Sequence, residues 1–319
     1  MGAPFRGVVR SAIRLRFLMV ASSIAAGCAQ RPALERHEYT QVHMGVETRI
    51  VIWAAPAQAA SAARAVFVRI AILDSLLSDY RADSELSRVN AAAGGPPVVA
   101  SEPLLAVLTV AIDVARASDG AFDPTVGPLT RVWRAARRAG SSPDPAVLRE
   151  AAGLVRWTDV RIDRQAGTVQ LARPGMALDL GGIAKGRAVD EALAVLLAHG
   201  VRRALVQMGG DLGVTGPPPD ETGWRILLAT PADTLRLAHG ALAISGPTEQ
   251  FIEVDGTRYS HVLDPRTGTG LTTRDVAIVL APTAMLADAL ATAAGVLSAE
   301  GRAGLTRAFP EARIHMERS

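Results

Sequence analysis

Leu178-Asp179-Leu180-Gly181-Gly182-Ile183-Ala184-Lys185-Gly186 is the stretch that decides how this chain folds. An apolar run, residues 177–180, reads as a strand. A double glycine follows, and a helix begins at once over residues 185–199, closed by Gly200. Glycines let a backbone approach a ligand closely, and the first amides of a helix favour anions, so this junction is an expected seat for a phosphate. The same pattern also serves as a plain tight connection. Lys185 adds weight to the first reading. It is the sole lysine among 34 basic side chains, the rest being arginine. Where any cation suffices this chain uses arginine, so a lone lysine beside Gly-Gly suggests a need for a compact ammonium, with chance as the alternative. Asp179 suits either a ligand hydroxyl or base edge, or a cap on the adjacent turn.

Outward from this stretch, residues 204–208 read as a buried strand running into a second pair, Gly209-Gly210. Residues 224–263 are strand-rich, 276–280 read as a strand and 284–297 as a helix. Upstream, residues 42–53 are a strand pair or one long strand. Residues 61–77 have helical periodicity, with Ala65, Val68, Ile72 and Leu76 able to share a face. Asp83-Ser84 offers N-cap chemistry to a short helix ending at Asn90. Residues 94–97 are a loop, 102–118 a helix closed near Gly120, 137–144 a polar surface loop, and 160–162 with 169–171 a hairpin. There is no internal repeat and no long linker, so one mixed α/β domain is expected.

Three further groups carry chemistry. Asp288 and Thr292 stand four apart in an otherwise small or apolar helix and share a face. Oxygen donors so placed suit a hard cation such as Mg²⁺, or else a carboxylate held by backbone amides and a hydroxyl bonded to its own helix. His261 lies in the turn-rich segment 258–268, read as a strand position among apolar neighbours. It suits a general base or a core histidine. Residues 118–128, with Ala121-Phe122-Asp123, form a rigid loop after a helix stop. Tyr80 and Met44 offer a flat ring and a soft side chain, to a ligand or to the core.

The N-terminus reads as a leader. Arg6, Arg10, Arg14 and Arg16 precede a short apolar stretch, 17–26, too short for a bilayer, which needs roughly 20 apolar residues. It ends in Ala25-Ala26-Gly27-Cys28, resembling a bacterial lipobox, with acylation and cleavage at Cys28 as the expected processing. Cys28 is the only cysteine, so no disulfide can form within the chain. Without residues 1–27, 30 basic side chains face 31 acidic ones, so the formal charge of +3 belongs to the leader. No electrostatic footprint for nucleic acid is left. The organisation expected is a signal peptide over 1–27, an acylated tether over 28–40 and one domain over 41–319. At 49% hydrophobic residues the chain has ample material for a core.

Six segments in order resemble the ApbE family, the FAD:protein FMN transferases: Met44-Gly45; Ser78-Asp79-Tyr80 with residues 83–90; residues 120–125; residues 179–186; Ser245-Gly246 with residues 261–268; and residues 288–292. The resemblance covers about residues 44–297. It implies an α+β fold, a mixed sheet with packed helices and FAD in a cleft. Met44, Tyr80, Ala121, Phe122, Asp123, Asp179 and Lys185 would line the FAD site. The Ala184 carbonyl, Asp288 and Thr292 would hold Mg²⁺, and His261 would stand near the reacting phosphate. The implied reaction passes FMN from FAD to a Thr or Ser of an exported flavoprotein, such as a subunit of a membrane redox complex, and releases AMP. FAD hydrolysis to FMN and AMP, or flavin carriage without catalysis, are the alternatives. The chain departs from the family pattern at Ile244, where Thr is usual, and at Gln207, where Asn is.

Overall fold

The computed structural model describes residues 34–228, 234–246, 251–254 and 256–318; the leader and Cys28 lie outside the described residues. Seven strands form an antiparallel sheet in the order Glu35–His43, Val46–Ala54, Ala204–Met208, Asp211–Val214, Gly240–Ser245, Asp275–Ala281, Arg313–Arg318. The first strand begins at Glu35, so residues 35–40, expected as tether, form the sheet's outer edge. Successive side chains alternate across a strand. Ile50 and Ile52 accordingly enter the main core under the helices, while Val51 enters a second core with Leu205, Leu242, Ile278, Trp224 and Ile226. That second face is covered by the hairpin of Trp224–Leu227 and Thr234–Leu237.

Pro56–Leu77, Ala184–Ala198 and Ala284–Val296 pack together on the main-core face, and Glu102–Ala117 lies against the last of them. The first helix buries a different stripe from the one expected. Ala59, Ala63, Val66, Ile70, Leu73 and Leu77 are buried, whereas Val68 and Ile72 are exposed. Apolar residues occur nearly all round this helix, so periodicity alone could not choose the inward face. Two helices were not expected, Gly127–Ala139 and Pro145–Ala152. The loop read at 137–144 shrinks to residues 140–144, where Gly140 takes a left-handed conformation after the helix and Asp144 caps the next one. Among the described residues no helix is long and apolar enough to cross a membrane.

Residues 177–180 are extended but are not a strand of any sheet; they make a single bridge, Ala177 to Val126. The Asn90 side chain substitutes for a neighbouring strand. Its Nδ2 donates to the Leu178 carbonyl (3.0 Å) and its Oδ1 accepts from the Leu178 amide (2.7 Å). The Asp179 amide donates to the Pro124 carbonyl at 2.9 Å. Apolar alternation reports burial, and here that burial came without a ladder.

The helix Ala184–Ala198 fastens the start of the helix Ala284–Val296. Asp190 accepts from the amides of Ala284 (2.7 Å) and Met285 (2.9 Å), and Thr283 accepts from Leu286. Three otherwise unpartnered donors of the second helix are thereby satisfied. Burial pushes the Asp190 carboxyl up to about 6 from 3.8, only partly offset by those amides and by Arg187. The folded state thus holds this proton more tightly than the unfolded chain. Its contribution to stability is complete below the unfolded value and is lost as pH rises through about 6. Relative to Asp190→Asn, the wild type should lose about 3 kcal/mol of stability between roughly pH 3 and pH 7. Urea unfolding at both pH values measures it, and an unchanged difference would refute the assignment.

Candidate active site

A cleft of about 1060 Å³ opens beside the junction of Gly181 and Gly182 with the following helix. Every residue singled out from the sequence within the described region lines it: Met44, Tyr80, Ala121, Phe122, Asp123, Asp179, Ala184, Lys185, His261, Asp288 and Thr292. Its size suits a ligand larger than a single nucleotide.

The charged centre is Lys185. Its Nζ lies 3.1 Å from the Gly181 carbonyl, 3.1 Å from Asp211 Oδ2 and 3.3 Å from Asp288 Oδ2. Both carboxylates are buried. Burial alone would push the ammonium down, but Asp211 and Asp288 outweigh it and hold Lys185 above the usual lysine range. Lys185 therefore serves as a fixed cation and not as a base. Two carboxylates against one ammonium leave the centre net negative, which favours a further cation.

The helix start offers an anion less than the Gly-Gly pattern implied. The Ala184 amide is bonded to the Leu180 carbonyl, and the Gly186 amide donates to Asp288 Oδ2 at 3.1 Å. Glycine at position 182 serves close approach. A Cβ on Gly182 would lie 2.9 Å from Thr292 Oγ1 and 3.3 Å from the Phe122 ring. Thr292 and Asp288 thus face the junction from one side of their helix. With Ala184 they present oxygen donors only. Among the described residues no group of three or more His, Cys, Asp and Glu could form a complete protein cage. Such a sparse, hard set fits Mg²⁺, which usually keeps waters and substrate phosphates in its shell.

Met44 occupies the tip of the first hairpin with φ +48°, followed by Gly45 at +75°. A left-handed turn matches the twist of the strands but is strained for methionine. Asp123 is buried, and both its oxygens are engaged, one by the Thr125 amide and hydroxyl (2.7 and 2.6 Å), the other by the Trp157 amide (3.0 Å). It shapes the 121–125 loop. His261 follows the strand Thr257–Ser260 rather than lying on it, and it is exposed, so the core-histidine reading fails. Asp179 caps the turn, its Oδ1 accepting from the Gly181 amide at 2.8 Å, and it also lines the cleft. Ile244 and Gln207 also line the cleft, so both departures fall within the site.

Two site residues escaped the sequence reading. Asp211 carried a signal, since it stands directly after the second pair, Gly209-Gly210. Arg134 carried none, because its helix was not recognised.

The ApbE family model matches residues 44–314. The chain belongs to the ApbE family. Similar relatives include the FAD:protein FMN transferase of Treponema pallidum, 33% identical over 308 residues and covering 89% of this chain and 84% of that protein. A second, from Klebsiella pneumoniae, is 34% identical over 239 residues, 73% of each chain. Among solved structures, the flavin transferase ApbE from Vibrio cholerae gives a TM-score of 0.79 at 28% identity, covering 89% of this chain and 93% of that one. The ApbE protein from Thermotoga maritima gives 0.79 at 29%, covering 89% and 97%. The antiparallel sheet with packed helices is therefore the ApbE fold, and the shared region contains the whole cleft described above.

Proposed function

We propose that this chain is an Mg²⁺-dependent FAD:protein FMN transferase, exported and lipid-anchored through Cys28 to the bacterial cell envelope, facing the periplasm where the cell has two membranes. The observation that carries the reading is the buried Asp211–Lys185–Asp288 centre in a cleft of dinucleotide size. The hydroxyl oxygen of an acceptor Thr or Ser attacks the FMN-side phosphorus of FAD. The bond from that phosphorus to the bridging oxygen breaks, and AMP departs with the bridging oxygen. Lys185, permanently charged, offsets negative charge on the pyrophosphate. His261, at the cleft wall, accepts the proton of the hydroxyl, which is a poor nucleophile without a base. Asp288, Thr292 and the Ala184 carbonyl would hold Mg²⁺, which supplies charge neutralisation at the phosphates. The leader makes exported flavoproteins, such as subunits of membrane redox complexes, the fitting acceptors.

The test uses protein from residue 29 onward with FAD, Mg²⁺ and a threonine-containing acceptor domain. An acceptor heavier by one FMN, with AMP released, is the expected mass spectrum. FMN and AMP beside an unmodified acceptor would replace transfer by hydrolysis, and intact FAD would replace catalysis by carriage. Lys185→Arg should lose about 10²-fold or more in turnover although it keeps the charge, because the guanidinium cannot fit the compact seat among Gly181, Asp211 and Asp288. Normal turnover would overturn the case for a compact ammonium.

A further inference from the structure

We infer that Arg134 is a positioning residue that presets Tyr80 as a stacking platform for a flat ring of FAD. The inference rests on the FAD reading of the cleft and goes beyond it by assigning a role to a residue on the unexpected helix Gly127–Ala139. The Arg134 guanidinium carbon lies 4.1 Å from the centre of the Tyr80 ring. Its two terminal nitrogens bind two carboxylates, Asp79 through one and Asp179 Oδ2 at 3.1 Å through the other. Arg134, Asp79 and Asp179 are each less than a fifth exposed, while Tyr80 is 77% exposed. All four line the cleft.

The arrangement has a specific logic. Tyr80 sits on a loop after Ser78, and a lone exposed ring there would sample several rotamers. The planar guanidinium covers one face of the ring, and its fork is itself fixed by the two acids, so the other face is held out to the cleft. Without the cation, Asp79 and Asp179 would repel each other and the pair would not persist as acceptors. With it, a ring stacked on Tyr80 meets carboxylate oxygens along its edge. That combination selects a flat heteroaromatic ring bearing N–H donors. Adenine and isoalloxazine both answer this description.

FAD affinity, measured by flavin fluorescence, separates this role from a general structural one. Arg134→Gln and Tyr80→Ala should each weaken binding by about tenfold, and the double variant should be no weaker than either alone. The loss should appear as a weaker Kd and a raised KM for FAD, whereas misfolding would lower the active fraction and leave the affinity of that fraction unchanged. Arg134→Lys keeps a charge between Asp79 and Asp179, which guards the fold, but it lacks the flat stacking face and should remain weak. Competition by AMP and by FMN identifies the ring, since the competitor that loses affinity in Tyr80→Ala is the one seated on the platform. Additive losses, wild-type affinity in Arg134→Gln, or no loss for either competitor would overturn the inference. Wild-type protein that fails to bind FAD would overturn the transferase reading as well.

Discussion

Asp288→Ala is expected to abolish Mg²⁺-dependent FMN transfer, by about 10³-fold or more, while leaving measurable FAD binding. Asp288 is 5% exposed and stands in a helix whose other residues are nearly all small or apolar. A carboxylate is kept in such surroundings only with partners. Its partners within the chain are the Gly186 amide and the Lys185 ammonium. Removing it leaves Lys185 paired with Asp211 alone and turns a net negative centre neutral, so the centre's attraction for a divalent cation falls. Met44 and Tyr80, which also line the cleft, are untouched. AMP release and acceptor mass measure the first effect, and equilibrium dialysis of FAD measures the second. Full activity of Asp288→Ala would refute the metal assignment. Lost FAD binding together with lost activity would show that Asp288 supports the whole cleft and not the cation alone.

Gly186→Ala is expected to be the most destabilising methyl that can be added near the site. The added Cβ would lie 2.2 Å from the Ala284 carbonyl oxygen, 2.5 Å from its carbon and 2.7 Å from the Met285 Cα. All three are backbone atoms at the start of the neighbouring helix, held there by Asp190. Neither helix can yield without loosening that cap and the bond from the Gly186 amide to Asp288. Overpacking of this kind costs about 3 kcal/mol, and the melting temperature should fall by about 6–12 °C. Gly295→Ala supplies the contrast in the helix that carries Asp288. The nearest atom to its added Cβ is 3.9 Å away, so the methyl should stabilise by about 0.5–1 kcal/mol. Thermal unfolding of the two variants should give opposite signs. If both destabilised equally, the close helix crossing would not be the cause.

The site was more legible in the sequence than the fold around it. Glycine pairs, a lone lysine and a carboxylate in an apolar helix stand out because each violates the bland expectation for its position. The structure brings Lys185 from one helix and Asp288 and Thr292 from another to one centre. Misreadings occurred where local pattern and long-range pairing part company. Residues 177–180 have the apolar character of a strand, yet Asn90, 88 residues away, supplies the hydrogen bonds. The helix Gly127–Ala139 was hidden by its Gly-Pro start and its run of arginines, and Arg134 was hidden with it. His261 was assigned to a strand that ends one residue earlier, at Ser260. No single-sequence periodicity could have revealed that Asp190 caps a helix that begins 94 residues later.

The sheet's first strand decides where this enzyme can be safely trimmed. Glu35–His43 is an outermost strand, and it carries charge: Glu38 pairs with both Arg36 and Arg49. Charged edge strands discourage strand addition from other molecules. A protein cut at residue 41, where the tether was expected to end, would uncover the next strand, whose Ile50-Val51-Ile52-Trp53 run would then have an unpaired backbone edge. Such an edge recruits copies of itself. A leaderless protein that keeps Glu35 should therefore remain dispersed, and one that begins at residue 41 should aggregate with its catalytic residues intact.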